Sequence, residues 1–243
     1  MQAVASSILA NPQPIDSSTT HLVAIIVAGG SSQRVGFDKL FAPLAGKPVV
    51  AHSISAFESS AAVESIILVV RAERLADYAE LIRSQGFRKV IAVIPGGGRR
   101  QDSVQRGLEQ LPDKCDFVAV HDAARPLVRP QLIQRIYECA QVHGGAASSV
   151  PIIDTLKRVD EAQVVVGGVD RTNLFAVETP QIFRRQILGE AYRVVSEAGL
   201  EVTDEISAVE KIGGKVVLVP NEEPNFKITY SPDLARAEAA LGR

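Results

Sequence analysis

The chain reads as an α/β protein: one mostly parallel sheet with helices on both faces and a projecting β-hairpin arm. Three observations predict this. Short apolar runs alternate with helix-period segments through the first two-thirds of the 243 residues. The loops after those runs carry glycines and isolated charges, as the ligand rim of a parallel sheet does. A later stretch alternates apolar and polar residues around a polar turn, which is hairpin patterning. Apolar residues make up 46% of the chain, enough for one large core. We therefore expect a single domain over 22–243. Residues 1–21, with Asn11-Pro12-Gln13-Pro14 and Ser17-Ser18-Thr19-Thr20, read as a disordered N-terminal extension.

The first strand covers 22–28, Leu22 to Ala28, and is apolar throughout, as a strand buried on both faces must be. A helix over 48–58 opens on Pro48, where a first turn tolerates proline. Strand 65–70, helix 73–84, strand 89–94, helix 101–110 and strand 117–121 follow in alternation. Helix 130–142 again opens on a proline, Pro130, and leads to strand 146–150. Then the rhythm breaks. The segments 152–159 and 163–169 flank Asp160-Glu161-Ala162 and predict an arm at about 151–172. Such an arm serves either as a dimer contact or as an edge extension of the sheet. Helices at 184–198, 204–211 and 232–241 and a strand at 215–219 complete the chain.

Composition excludes several classes of function. The net charge of −2, from 26 basic and 28 acidic residues, offers no basic field for nucleic acid. Aromatic residues are 5% and tryptophan is absent, against a single-strand stacking platform. Two cysteines, Cys115 and Cys139, and four histidines make neither a disulfide framework nor a zinc pattern. No apolar run is long enough for a membrane span, and 1–21 contains no Lys or Arg for a secretory or transit signal. A cytoplasmic protein is expected.

Three constellations carry the chemistry. Ala28-Gly29-Gly30-Ser31-Ser32-Gln33-Arg34-Val35-Gly36-Phe37-Asp38-Lys39 follows the first strand. Glycine lets backbone N–H groups approach phosphate oxygens, and Arg34 and Lys39 set two cations beside that cradle. The stretch has neither Gly-x-Gly-x-x-Gly nor Gly-Lys-Ser/Thr, so it is not a dinucleotide fingerprint or a Walker loop. Pro95-Gly96-Gly97-Gly98-Arg99-Arg100-Gln101-Asp102-Ser103 joins a strand to a helix. Its amides can meet an anion or a base edge, while Asp102 or Ser103 can equally be an ordinary cap. His121-Asp122-Ala123-Ala124-Arg125-Pro126 ends another strand. An aspartate there can bind Mg²⁺ directly or through water, and Arg125 can serve a ligand or pair with a local carboxylate.

Together these pieces resemble the cytidylyltransferases that make 4-diphosphocytidyl-2-C-methylerythritol in the non-mevalonate isoprenoid pathway. The likeness continues through Asp170-Arg171-Thr172-Asn173-Leu174, Thr179-Pro180-Gln181, Thr203-Asp204-Glu205-Ile206-Ser207-Ala208-Val209-Glu210 and Asn225-Phe226-Lys227-Ile228-Thr229. It runs in order over 22–241 and ends in Asp233-Leu234-Ala235-Arg236-Ala237-Glu238. The resemblance implies a Rossmann-like nucleotidyltransferase domain and CMP transfer from CTP to 2-C-methyl-D-erythritol 4-phosphate, with Mg²⁺. It implies that Arg34 and Lys39 stabilise charge at the α-phosphate. Ala28, Gly29 and Gly30 would cradle the nucleotide, Gly97 and Ser103 would meet cytosine, and Ala123 the sugar region. Asp122 would orient substrate and metal. Arg171 and Lys227 would hold the methylerythritol phosphate, assisted by Thr155 and Thr179. A homodimer whose arms carry substrate residues between subunits is also implied.

This chemistry needs no serine, cysteine or general base, because the acceptor phosphate is already a nucleophile. Positioning and fixed positive charge supply the catalysis. The chain departs from the family in the segment between Arg34 and Lys39, which is usually longer and ends Pro-Lys-Gln. The Gly36-Phe37-Asp38-Lys39 form resembles molybdopterin guanylyltransferases, which share the fold. The pieces around Arg171, Thr179 and Lys227 favour the cytidylyltransferase. A ribitol 5-phosphate enzyme and a non-catalytic nucleotide-binding module are the remaining alternatives.

Overall fold

The computed structural model describes residues 20–30 and 38–242. The extension expected over 1–21 falls mostly outside them, but Thr20 and His21 are held in the fold. Thr20 Oγ1 lies 2.6 Å from Tyr137 Oη, and His21 N donates to Asp116 Oδ2 at 2.9 Å. The ordered domain therefore reaches at least two residues further back than the sequence suggested.

The elements follow the expected alternation. Strand β1 is Leu22–Ala28, and a small β2/β3 pair at Pro43–Leu44 and Lys47–Pro48 leads into helix α1, Val49–Ser59. Strand β4 is Val63–Val70, α2 is Leu75–Gln85, β5 is Val90–Pro95 and α3 is Arg100–Leu108. Then come β6 Phe117–Asp122, α4 Pro130–His143 and β7 Gly145–Pro151. The arm strands β8 and β9 are Leu156–Val159 and Val165–Val169. Strand β10 is Phe175–Arg184, followed by α5 Arg185–Glu197, α6 Glu205–Glu210, β11 Val217–Pro220 and α7 Pro232–Leu241.

Seven strands form the main sheet in the order β11-β7-β10-β6-β1-β4-β5. All neighbours are parallel except β10, which runs antiparallel to both β6 and β7. Side chains of β1 alternate between two cores. Leu22, Ala24, Ile26 and Ala28 face the core built with α1, α2, α4 and α7. Val23 and Ile25 face that of α3, α5 and α6. Helix α3 packs unusually close to β1, since a Cβ on Gly107 would stand 2.7 Å from Ile25 Cγ2. Glycine is what permits that approach.

Strand β10 is the main-sheet strand the sequence reading missed; the small β2/β3 pair was not foreseen either. Its run Phe-Ala-Val-Glu-Thr-Pro-Gln-Ile-Phe-Arg is broken by Glu178, Thr179, Pro180 and Gln181, and proline argues against an interior strand. Here the ladder with β7 shifts register between Val177 and Gln181, a break in which proline is tolerated. The arm grows from the root of this ladder, where Phe175 pairs with Pro151 and Ile152 N donates to Leu174 O. It is a separate two-stranded sheet rather than an edge extension of the main one. No helix among the described residues is long and apolar enough to cross a membrane.

Candidate active site

Because the parallel strands point one way, the segments after β1, β4, β5, β6 and β11 share one rim with the start of β10. On the nucleotide side, Ala28 is buried, Gly29 is partly covered and Gly30 is exposed. In the neighbouring turn, Gly97 N donates to Ser103 Oγ at 3.1 Å, and Ser103 Oγ donates to Arg99 O at 3.2 Å. A Cβ on Gly97 would stand 2.3 Å from Asp102 Cβ, so this turn closes only around glycine. Asp102 accepts from Arg99 N at 3.0 Å and caps α3. The capping reading holds for Asp102, and Ser103 Oγ faces the glycines, where it accepts from Gly97 N.

Lys39 enters from the segment before β2, and its Nζ donates to Ile228 O at 2.9 Å. The segment after β11 carries Ile228, and Ile228 N donates to Ala124 O at 2.8 Å. Lys227, one residue away, donates from Nζ to Asp122 Oδ2 at 2.8 Å. Two lysines from opposite ends of the sequence thus meet at one short segment beside the end of β6.

Asp122 is the electrostatic centre. Arg100 Nε donates to Oδ1 at 2.9 Å, Lys227 holds Oδ2, and Arg125 Nε stands 3.8 Å from Oδ2. Burial opposes the charged carboxylate, but Arg100 and Lys227 outweigh it and hold Asp122 well below the usual carboxylate range. Arg100 also donates to both oxygens of Glu205, at 2.8 and 3.0 Å. Glu205 is fully buried and accepts from Tyr192 Oη at 3.0 Å. Burial would lower the Arg100 guanidinium, yet Glu205 and Asp122 together keep it above its ordinary value.

A hydrogen-bonded chain ties β6 to β10. Asp122 N donates to Thr179 Oγ1 at 3.0 Å, and Thr179 Oγ1 lies 3.1 Å from His121 Nδ1. His121 Nε2 lies 3.2 Å from Arg125 O. A neutral imidazole protonated at Nε2 satisfies every member, and burial pushes His121 down to about 3. Deeper still, Glu178 Oε2 accepts from Ser148 Oγ, Asn221 Nδ2 and Asn225 Nδ2 at 2.9, 3.2 and 3.1 Å. Arg125 NH1 donates to Asn225 O at 2.9 Å. Arg125 Nε is buried with no hydrogen-bond partner among the described residues.

The family model described as IspD, 2-C-methyl-D-erythritol 4-phosphate cytidylyltransferase, matches residues 22–243. The chain belongs to this family. It is 43% identical over 219 residues to a 2-C-methyl-D-erythritol 4-phosphate cytidylyltransferase of Dehalococcoides mccartyi, covering 90% of this chain and 95% of that one. The crystal structure of the cytidylyltransferase from Thermus thermophilus superposes with a TM-score of 0.75 at 30% identity, covering 92% and 100% of the two chains. A 4-diphosphocytidyl-2C-methyl-D-erythritol synthase from Anaerococcus prevotii shares the fold, with a TM-score of 0.81 at 24% identity over 93% and 97%. The protein is accordingly a nucleotidyltransferase of the cytidylyltransferase class.

Within this cytidylyltransferase, the residues expected from the sequence fall into three groups. Lys39, Asp122, Arg125, Thr179 and Lys227 come together at the end of β6. Ala28, Gly29, Gly30, Gly97 and Ser103 line the neighbouring turns, whereas Ala123 is fully buried. Its N–H donates to Val27 O at 3.0 Å and its carbonyl accepts from Ser53 Oγ at 2.9 Å. Ala123 therefore shapes the rim from below. Thr155 and Arg171 are exposed on the arm, where Arg171 NH1 donates to Ile153 O. Nothing described joins them to Asp122 in their own chain. Arg34 lies outside the described residues.

Asp122, expected to bind Mg²⁺ directly or through water, is poorly placed for direct ligation. Arg100 and Lys227 occupy one oxygen each and Arg125 adds a third positive charge, so a divalent cation there would meet strong repulsion. Among the described residues, no group of three His, Cys, Asp or Glu side chains forms a metal cage. Sequence reasoning also passed over Arg100, Glu205 and Glu178. Arg100 and Glu205 stood within quoted motifs, but only the fold reveals that they face one another.

Proposed function

We propose that the protein transfers CMP from CTP to 2-C-methyl-D-erythritol 4-phosphate, giving 4-diphosphocytidyl-2-C-methyl-D-erythritol and pyrophosphate. An acceptor phosphate oxygen attacks the α-phosphorus. A new P–O bond forms as the bond to the bridging α–β oxygen breaks, and that oxygen leaves with pyrophosphate. The observation that carries this reading is the meeting of Lys39 and Lys227 at Ile228. Two polyanions must approach one another, and a cation for each then stands on the same segment. Lys39, with Arg34, takes the charge at the α-phosphate, while Gly29, Gly30 and the Gly97/Ser103 turn receive the nucleotide. Lys227 takes the acceptor phosphate with Arg125 adding positive charge behind it; Asp122 holds both cations, and Thr179 fixes the backbone of Asp122. Mg²⁺ would be carried on the oxygens of the triphosphate rather than on Asp122.

The arm supports a homodimer. Ile153, Val164, Val165 and Val166 are 77%, 59%, 58% and 63% exposed, an apolar surface that no other described residue covers. A second copy would cover it and deliver Arg171 and Thr155 to the acceptor end of the neighbouring site. The enzyme is read as cytoplasmic. Pyrophosphate release with CTP or GTP against methylerythritol 4-phosphate, ribitol 5-phosphate and molybdopterin tests the reaction. Release confined to CTP with methylerythritol 4-phosphate is expected. Turnover with GTP, or faster turnover with either other acceptor, would overturn the assignment.

A further inference from the structure

The short segment that departs from the family's usual form ends in an acid, Asp38, directly before Lys39. An aspartate beside a phosphate-handling lysine is at first sight a liability, since its charge repels the triphosphate. The fold cancels it. Arg71 NH2 and Arg74 NH2 stand 3.1 and 3.0 Å from Asp38 Oδ2, and Asp38 Oδ1 accepts from Leu40 N at 3.2 Å. Phe41 N closes the turn by donating to Asp38 O at 3.2 Å. Both carboxylate oxygens are thus engaged, one by the turn around Lys39 and the other by two guanidiniums.

Those guanidiniums come from the rim itself. The β1/β4 register pairs Ala28 with Val70, and the β4/β5 register pairs Val70 with Pro95. Arg71 therefore follows β4 level with Gly29 on one side and Gly96 on the other. Arg74 is set by its own neighbours: its guanidinium lies 4.3 Å from the centre of the Phe41 ring and 2.8 Å from Asp77 Oδ2. Arg71 is likewise braced by Glu73 at 3.4 Å. The far end of Lys39 is fixed at Ile228 O.

We propose that Asp38, clamped by Arg71 and Arg74, is a positioning residue that fixes Lys39 on the nucleotide rim. The aspartate serves as an anchor and the arginines neutralise it, so the shortened segment keeps its lysine aimed at the phosphates. Arg71 and Arg74 act through Asp38 and do not touch substrate. The inference rests on the reading of Lys39 as a nucleotide cation.

Kinetics of Asp38→Ala, Asp38→Asn, Arg71→Gln and the double variant Asp38→Ala/Arg71→Gln test it, with thermal unfolding of each. A displaced catalytic group lowers turnover by roughly 10- to 100-fold. We expect that loss in kcat for Asp38→Ala, a smaller one for Asp38→Asn, which keeps an oxygen for Leu40 N, and unchanged acceptor KM throughout. Arg71→Gln should lower kcat in the native background and change it less than about twofold when Asp38 is already gone. Losses that multiply, or a CTP KM raised by Arg71→Gln in both backgrounds, would show that Arg71 acts on the triphosphate itself. A fall in Tm with kcat intact would leave only a structural ion pair. Either result overturns the proposal. Acylation of the Lys39 amine by an activated acetate ester, read by peptide mass spectrometry, is independent of turnover. It should rise several-fold in Asp38→Ala, and an unchanged rate would refute the clamp even in a protein that made no product.

Discussion

Arg100 bridges the two buried acids of the site, Asp122 and Glu205, and replacing it exposes how the site is supported. Glu205 is 0% exposed and has two kinds of partner, Arg100 through two hydrogen bonds and Tyr192 through one. Arg100→Met fills similar volume but leaves that carboxylate in the core with a single neutral donor. Breaking a buried pair from one side costs about 3–5 kcal/mol. For a domain of this size each kcal/mol lowers Tm by about 2–4 °C, so a fall of roughly 6–20 °C is expected. Arg100→Met/Glu205→Gln removes the stranded charge and should recover more than half of that loss. The assay is thermal and urea unfolding at pH 7 and one fixed protein concentration, because the proposed dimer would contribute to apparent stability. A Tm for Arg100→Met within about 2 °C of the native protein, smaller than any part of the expected range, would refute the reasoning. A double variant as unstable as the sum of its parts would also refute it.

Three further outcomes are expected. Lys39→Ala should lower kcat by about 10²–10³-fold with the fold intact, as loss of one donor to transition-state charge does; steady-state kinetics beside circular dichroism checks this. Lys227→Ala and Arg171→Ala should raise KM for the acceptor far more than KM for CTP, and Arg171→Lys should rescue only in part because an ammonium lacks the planar fork. The third concerns acid. His121 is held neutral and pushed down to about 3 by burial, whereas an unfolded histidine titrates near 6.5. Below about pH 6.5 the unfolded chain gains a proton that the folded one refuses, so stability should fall by up to about 1.4 kcal/mol per pH unit. Asp122, whose folded value is depressed, adds its own loss only once pH drops below about 4. Urea midpoints from pH 7 to 4 read the first window, and His121→Gln should flatten it.

The parallel core was legible because β1, β4, β5, β6 and β7 are largely apolar or small-residue runs between turn residues, the pattern of strands in a covered parallel sheet. The arm was legible for the opposite reason: its alternation belongs to an exposed two-stranded ribbon. Strand β10 was hidden because it supplies the polar floor of the site. Glu178, Thr179 and Gln181 are buried and hydrogen-bonded there, which periodicity cannot anticipate. The two adjacent arginines make the same point. Arg99 turns outward to Asp102 and Glu201, while Arg100 turns inward to Asp122 and Glu205. Their order along the chain is plain, but their division of labour depends on the rotation of α3. Likewise, the cations around Asp122 come from α3, the turn after β6 and the segment after β11, so their convergence on one carboxylate shows only in three dimensions.

The site as proposed is shared between two chains, and subunit mixing tests this most directly. Lys39→Ala and Arg171→Ala proteins are each expected to be nearly inactive. When the two are unfolded together, refolded and isolated as verified heterodimers, one of the two sites regains both residues. CMP transfer should then return to a substantial fraction of the native rate per dimer. Heterodimers no more active than their parents would mean that each site is built within a single chain.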